Sequence, residues 1–121
     1  MKQQIISTRD VARELARKYS TMTHEELDAL EQILVPMNFQ KGKKILSAGE
    51  VCKNIYYIHS GLVRQYYMKN SKEVTEHLGV DGSIFMSIQS LFEEIPTQQE
   101  VIALENTYIF ALPKKALEQV A

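Results

Sequence analysis

Only one cysteine, Cys52, occurs among the 121 residues. An intramolecular disulfide framework is therefore excluded, and a reducing compartment, the cytoplasm, is the expected setting. Long apolar runs are missing too: near the amino terminus only Ile5 and Ile6 stand together, before the polar stretch STRD. Neither a secretory signal core nor a membrane span is expected, which makes the chain soluble on this reading. Nor is there an excess of positive charge, since 14 Lys and Arg face 15 Asp and Glu for a formal net charge of -1. Such a field does not attract a phosphate backbone, so the chain by itself is not expected to hold DNA. Arginine stops altogether after Arg64.

What is present suits one globular core. With 45% hydrophobic and 24% charged residues, a chain of this length hides roughly two-thirds of its unfolded surface. Residues 8–19, TRDVARELARKY, carry Val11, Ala12, Leu15, Ala16 and Tyr19 at helical spacing, with Thr8 placed to cap the start. Arg9, Arg13 and Arg17 recur every four residues there, but Asp10 and Glu14 share the segment and supply opposite charge. A solvated face is expected, rather than a nucleic-acid stripe. A second helix follows in TMTHEELDALEQIL, where Thr23 and Glu26 have the spacing of a capping box and Leu27, Leu30, Ile33 and Leu34 form the apolar stripe. Pro36 is expected to close it.

From Phe39 onward the texture changes to short segments separated by Gly, Asn, Ser and Asp, the pattern of an antiparallel barrel or sandwich. Strands are expected at Asn38–Gln40, Lys44–Leu46, Asn54–His59, Leu62–Met68, Glu73–Leu78, Glu100–Ala103 and Thr107–Leu112. Gly42, Gly49, Gly61 and Gly82 punctuate them. A short helical piece is expected over Met86–Glu93, and Pro113 is placed in the first turn of a last helix.

Gly42 before Ile45-Leu46, the Ala48-Gly49-Glu50 turn, Tyr56-Tyr57-Ile58 leading into Ser60-Gly61, and Gly82 three residues before Phe85 form an ordered set. A short helix, a Pro-containing loop and the run VIALENTYIFALPKKAL complete it. Through these pieces the chain resembles, over about residues 23–121, the cyclic-nucleotide-binding domain of the Crp/Fnr transcription regulators, the catabolite activator protein family. The resemblance implies a mainly β fold with flanking helices: an eight-stranded jelly roll, or double-stranded β-helix, with two N-terminal helices and the start of a C-terminal one. Residues 1–22 would be the N-terminal helical segment and 23–121 the sensor domain. It further implies a regulator that reaches DNA only through a C-terminal domain absent from this chain. A small-molecule effector of unknown identity and a second copy of the chain are the candidate partners.

In nucleotide-binding members of that family a Gly-Glu-Leu or Gly-Glu-Ala segment opens the short helix, and its Glu takes the ribose hydroxyl. Here the matching residues read Met86-Ser87-Ile88. Those members also place an Arg, followed by Ser, Thr or Ala, against the cyclic phosphate, where the guanidinium makes paired, charge-assisted hydrogen bonds. Here the pair reads Gln98-Gln99. A desolvated, unpaired anion costs several kcal/mol, roughly enough to erase micromolar affinity, so cAMP is not expected to bind. Arg64 and Glu76 match cavity-facing positions in the family, and their even separation lets them share a sheet face if the turn keeps register. Two readings stay open for them: a polar ligand held between these charges and the amides of Gln98 and Gln99, or a cross-strand ion pair with no ligand.

Other chemistry finds little footing. His24, His59 and His77 lack the His-x-His pair and following Glu of a metal-dependent cupin. Iron–sulfur ligation is excluded by the cysteine count. Cys52 has no second cysteine to pair with, and an ordinary thiol is the simpler reading. Glu25-Glu26 and Glu93-Glu94 are sequence neighbours, which point apart on a helix. No enzyme, no cofactor and no metal are expected; a small cupin-like enzyme and a ligand-free dimerisation module are the alternatives.

Overall fold

Helix α1 (Thr8–Tyr19) opens the computed structural model, which describes residues 8–19 and 23–120. Thr8 is the first described residue and is already helical, so the expected cap, like Ile5 and Ile6 and the side chains of Ala16 and Tyr19, lies outside the described residues. In helix α2 (His24–Ile33) the capping box closes in both directions: Glu26 N–H donates to Thr23 Oγ1 at 3.1 Å, and Thr23 N–H donates to Glu26 Oε1 at 2.8 Å. Arg9 is drawn onto this second helix, pairing with Asp28 and, at 3.2 Å, with Glu31. That arginine is a helix-to-helix clasp.

Pro36 does not end α2. The helix stops at Ile33 with Leu34 as C-cap in extended geometry, and Pro36 sits inside strand β1 (Val35–Phe39). Proline is tolerated there because β1 is an outer strand of its sheet, with only one neighbour requiring its N–H groups. The following strands are β2 (Lys44–Leu46), β3 (Asn54–Ser60), β4 (Val63–Lys69), β5 (Lys72–Gly79) and β6 (Ile84–Phe85). The two-residue β6 is too short for any periodic signal and was not expected. Helix α3 (Ile88–Glu93) begins two residues later than its expected start at Met86, with Ser87 as N-cap. Strands β7 (Gln99–Ala103) and β8 (Thr107–Pro113) and helix α4 (Lys114–Val120) complete the order, so Pro113 ends a strand instead of lying within the helix.

The eight strands form two antiparallel four-stranded sheets, ordered β1-β8-β3-β6 and β2-β7-β4-β5. This is the expected mainly β architecture with flanking helices. Alternation along β3 and β8 explains how one sheet serves two cores. Tyr56, Ile58, Ile109 and Ala111 point between the sheets, where they meet Leu46, Val63, Phe85, Leu91 and Val101. Tyr57, Phe110 and Leu112 point the other way, into Val11, Leu15, Leu30 and Leu34 of the two helices. The Tyr57 hydroxyl keeps a partner in that cover, donating to Glu14 Oε1 at 2.7 Å. Tyr56 stacks on Phe85 at 4.8 Å between centroids, which gives the short β6 its anchor.

On the outer face of the second sheet, Glu100 is bound by the Lys44 ammonium and accepts from Ala48 N–H at 3.1 Å. The Lys44 hydrogen bond, seconded by Ala48, holds the Glu100 carboxyl below its ordinary value of 4.5, against the opposing effect of burial. A carboxylate with a lowered native pKa stabilises the fold fully above the unfolded value, and the contribution fades as pH falls through 4.5 toward the native value. Urea midpoints at pH 7 and pH 4 are expected to differ less in Glu100→Gln than in the wild type. Equal losses on acidification would show that the pairing contributes nothing.

Candidate ligand-binding site

Strands β4, β5 and β7 floor a cavity of about 640 Å³ that α3 and the loop after it roof over. Its lining includes Glu76, Met86, Ser87, Ile88, Gln98 and Gln99, the residues expected there from the resemblance, together with Gln65, Tyr67, Gln89, Ser90, Ile95, Pro96 and Thr97.

Arg64 is not among them. The expectation that it shares a face with Glu76 needs a turn with an odd number of residues, and β4 and β5 are joined by the two-residue turn Asn70-Ser71, which sets Lys69 opposite Lys72. Counting back along that ladder sets Tyr66 opposite Thr75 and leaves Glu76 on the face of Gln65 and Tyr67, the cavity side, where it is also the extra residue of a bulge between Thr75 and His77. Arg64 remains on the outer face. Its Nε donates to Thr75 Oγ1 at 2.8 Å and its NH1 to Glu73 Oε1 at 2.7 Å, and its guanidinium lies 4.3 Å over the Tyr66 ring. Glu73, not Glu76, is its carboxylate partner.

Three hydroxyls brace the roof. Ser87 Oγ and Thr97 Oγ1 share a buried hydrogen bond at 2.8 Å, which ties the helix N-cap to the end of the loop. Thr97 Oγ1 also accepts from Gln99 N–H at 3.0 Å. Ser90 Oγ accepts from Cys52 N–H at 2.8 Å and donates to the Ile95 carbonyl at 2.5 Å. Glu94 ends α3 in left-handed geometry at φ 58, with its N–H on Ser90 O. The Ala48-Gly49-Glu50 turn clamps the same loop, since Gly49 N–H donates to Thr97 O and Thr97 N–H to Glu50 O, both at 2.8 Å.

The floor is organised by amides. Gln99 Nε2 donates to Glu76, Gln65 Nε2 donates to Gln99 Oε1 at 3.0 Å, and Gln65 Nε2 also donates to the Met86 carbonyl at 3.1 Å. Gln65, Gln89, Ser90 and Thr97 escaped the sequence reading. For Gln65 a signal existed: it alternates with Val63 and Tyr67 along β4, a parity that sends a polar amide inward.

Glu76 is the single charged residue of the lining, so the chamber carries a carboxylate and no cation among the described residues. The histidines do not converge: His24 lies on α2, His59 on β3 and His77 on β5. Cys52 is buried, with its thiol directed to the Asn54 carbonyl at 3.4 Å. Among the described residues no three of His, Cys, Asp and Glu gather into a metal-binding group, and no helix is long and apolar enough to cross a membrane.

The family profile described as Cyclic nucleotide-binding domain matches residues 36–121. Over 84 residues the chain is 32% identical to the cAMP-dependent protein kinase regulatory subunit of Candida albicans, an alignment covering 68% of this chain and 17% of that protein. Over 105 residues it is 28% identical to the fumarate and nitrate reduction regulatory protein of Vibrio cholerae, covering 84% and 40% respectively. Among solved structures, the catabolite activator protein of Thermus thermophilus superposes with a TM-score of 0.73 at 26% identity, covering 88% of this chain and 49% of that one. The chain thus spans less than half the length of each of these relatives.

Proposed function

Because the chain belongs to the cyclic nucleotide-binding domain family, with Crp/Fnr regulators and a protein kinase regulatory subunit among its relatives, we propose that residues 23–121 are the ligand-sensing domain of a bacterial Crp/Fnr-type transcription regulator whose nucleotide contacts have been replaced. Helix α1, residues 8–19, flanks it. Contact with DNA belongs to another domain of such a regulator.

One observation carries the reading that cAMP is not the signal: the lining holds a carboxylate and amides where a cyclic phosphate needs a guanidinium. Gln98 and Gln99 stand at the phosphate position of the family, and Met86-Ser87-Ile88 at the ribose position. Glu76 would add repulsion to the missing attraction. A neutral amide can donate to a phosphate oxygen, but it does not offset the desolvation of a full negative charge.

The test is calorimetric titration of the purified chain with cAMP and with cGMP. No binding heat is expected up to millimolar nucleotide, and a micromolar dissociation constant for either would overturn the reading.

A further inference from the structure

The amide network on the cavity floor has only one consistent orientation. An ionised carboxylate can only accept, so the Gln99 group against Glu76 must be its NH2. That turns Gln99 Oε1 toward Gln65, whose own NH2 must therefore face it. The Met86 carbonyl, another obligate acceptor, takes the second Gln65 proton. Three acceptors thus fix two amides, and both protons of Gln65 Nε2 are spent.

What remains on Gln65 is its carbonyl oxygen. Gln65 lines the cavity, no described residue donates to its Oε1, and that oxygen is open to the chamber and not sealed in the core. An acceptor open to the chamber is free to take a donor from whatever occupies it. At the rim Glu76 adds a charged acceptor. The Ser87 and Thr97 hydroxyls are already joined to each other.

From this geometry we infer that the cavity selects a phosphate-free ligand of nucleoside size that supplies N–H or O–H donors to Gln65 Oε1 and Glu76. The inference rests on the reading of the pocket as a ligand site and names the class it takes. A volume of about 640 Å³ suits such a ligand. Anions are turned away by the same groups that receive donors.

A matched set of probes tests it: adenosine and guanosine against cAMP and cGMP, each followed by the thermal midpoint of the chain at millimolar ligand. Cyclisation consumes the 3′ and 5′ hydroxyl donors and adds a negative charge while leaving base and 2′ hydroxyl in place. At least one nucleoside is expected to raise the midpoint, and its cyclic counterpart to leave it unmoved. Gln65→Met, which keeps the volume but removes the acceptor, should weaken the nucleoside by about tenfold, the size of one buried hydrogen bond. Should that variant fail to fold, Glu76→Gln at the open rim should still weaken the nucleoside several-fold. Nucleoside affinity unchanged in the folded variants would overturn the inference. So would a midpoint indifferent to both nucleosides; if the cyclic nucleotides are also inert, the reading that cAMP is not the signal survives. Stabilisation by cAMP or cGMP would defeat both.

Discussion

Replacing Gln98 with arginine is expected to raise the affinity of the cavity for cAMP by roughly ten- to a hundredfold, the increment of charge-assisted hydrogen bonds to an anion. Gln98 lines the chamber but is itself exposed, so a longer side chain can be added without disturbing the core. The guanidinium would also oppose the field of Glu76 across the same space. The ribose carboxylate would still be lacking, because Ser87 is buried and bonded to Thr97. The readout is the cAMP-induced shift in thermal midpoint, absent in the wild type and present in Gln98→Arg. A variant that stays unresponsive at millimolar cAMP would mean that missing charge is not what excludes the nucleotide.

The second large effect lies in the turn between β3 and β4. Gly61 has φ 129, and a Cβ built on it would fall 2.4 Å from Thr107 Oγ1 and 2.7 Å from Thr107 Cα. Thr107 cannot withdraw: it is fully buried, opens β8, and its hydroxyl donates to Glu105 O at 2.7 Å. Gly61→Ala therefore combines a strained backbone with a clash against main chain, together about 3 to 5 kcal/mol. That is a large part of the roughly 5 to 15 kcal/mol that holds a small domain folded. Gly42→Ala is the internal control, since at φ 89 it meets nothing within 4 Å and should cost only the backbone preference. Urea unfolding of both variants checks the contrast; a Gly61→Ala loss no greater than that of Gly42→Ala would refute the steric account.

These two positions also mark how far the fold could be read from residues alone. Ser60-Gly61 between two branched and aromatic runs announces a reversal, and Thr23 with Glu26 announces a helix start, because each signal is local and chemically specific. Lys44–Leu46 was legible to the residue for the same reason, with Gly42 before it and a turn after it. Pro36 misled because its effect depends on which edge of a sheet it joins, and that is decided by β8, some seventy residues away in the chain. The jelly-roll arrangement itself came from the ordered resemblance, since two sheets of such short strands have no local signature of their pairing order.

For the site, the residues named from the family pattern line the cavity, with the exception of Arg64. An inward Arg64 beside Glu76 presumes a hairpin turn with an odd number of residues, and the two-residue turn Asn70-Ser71 reverses that parity. Nothing in KEVTEHLG announces that register, because its inward and outward positions are both mainly polar. The acceptor character of Gln65 was equally hidden. It depends on three partners from β7, β5 and the segment before α3, and their meeting is a tertiary event.

The surplus residue at Glu76 has a consequence outside the chamber. Strand β5 is the longest edge of either sheet, eight residues with one side unpaired, and an uninterrupted edge of that length could template aggregation by recruiting a foreign strand. Breaking the repeat midway, amid Lys72, Glu73 and Glu76, leaves no flat stretch long enough to recruit one. The bulge at the carboxylate of the ligand space is therefore also a guard against edge-to-edge association.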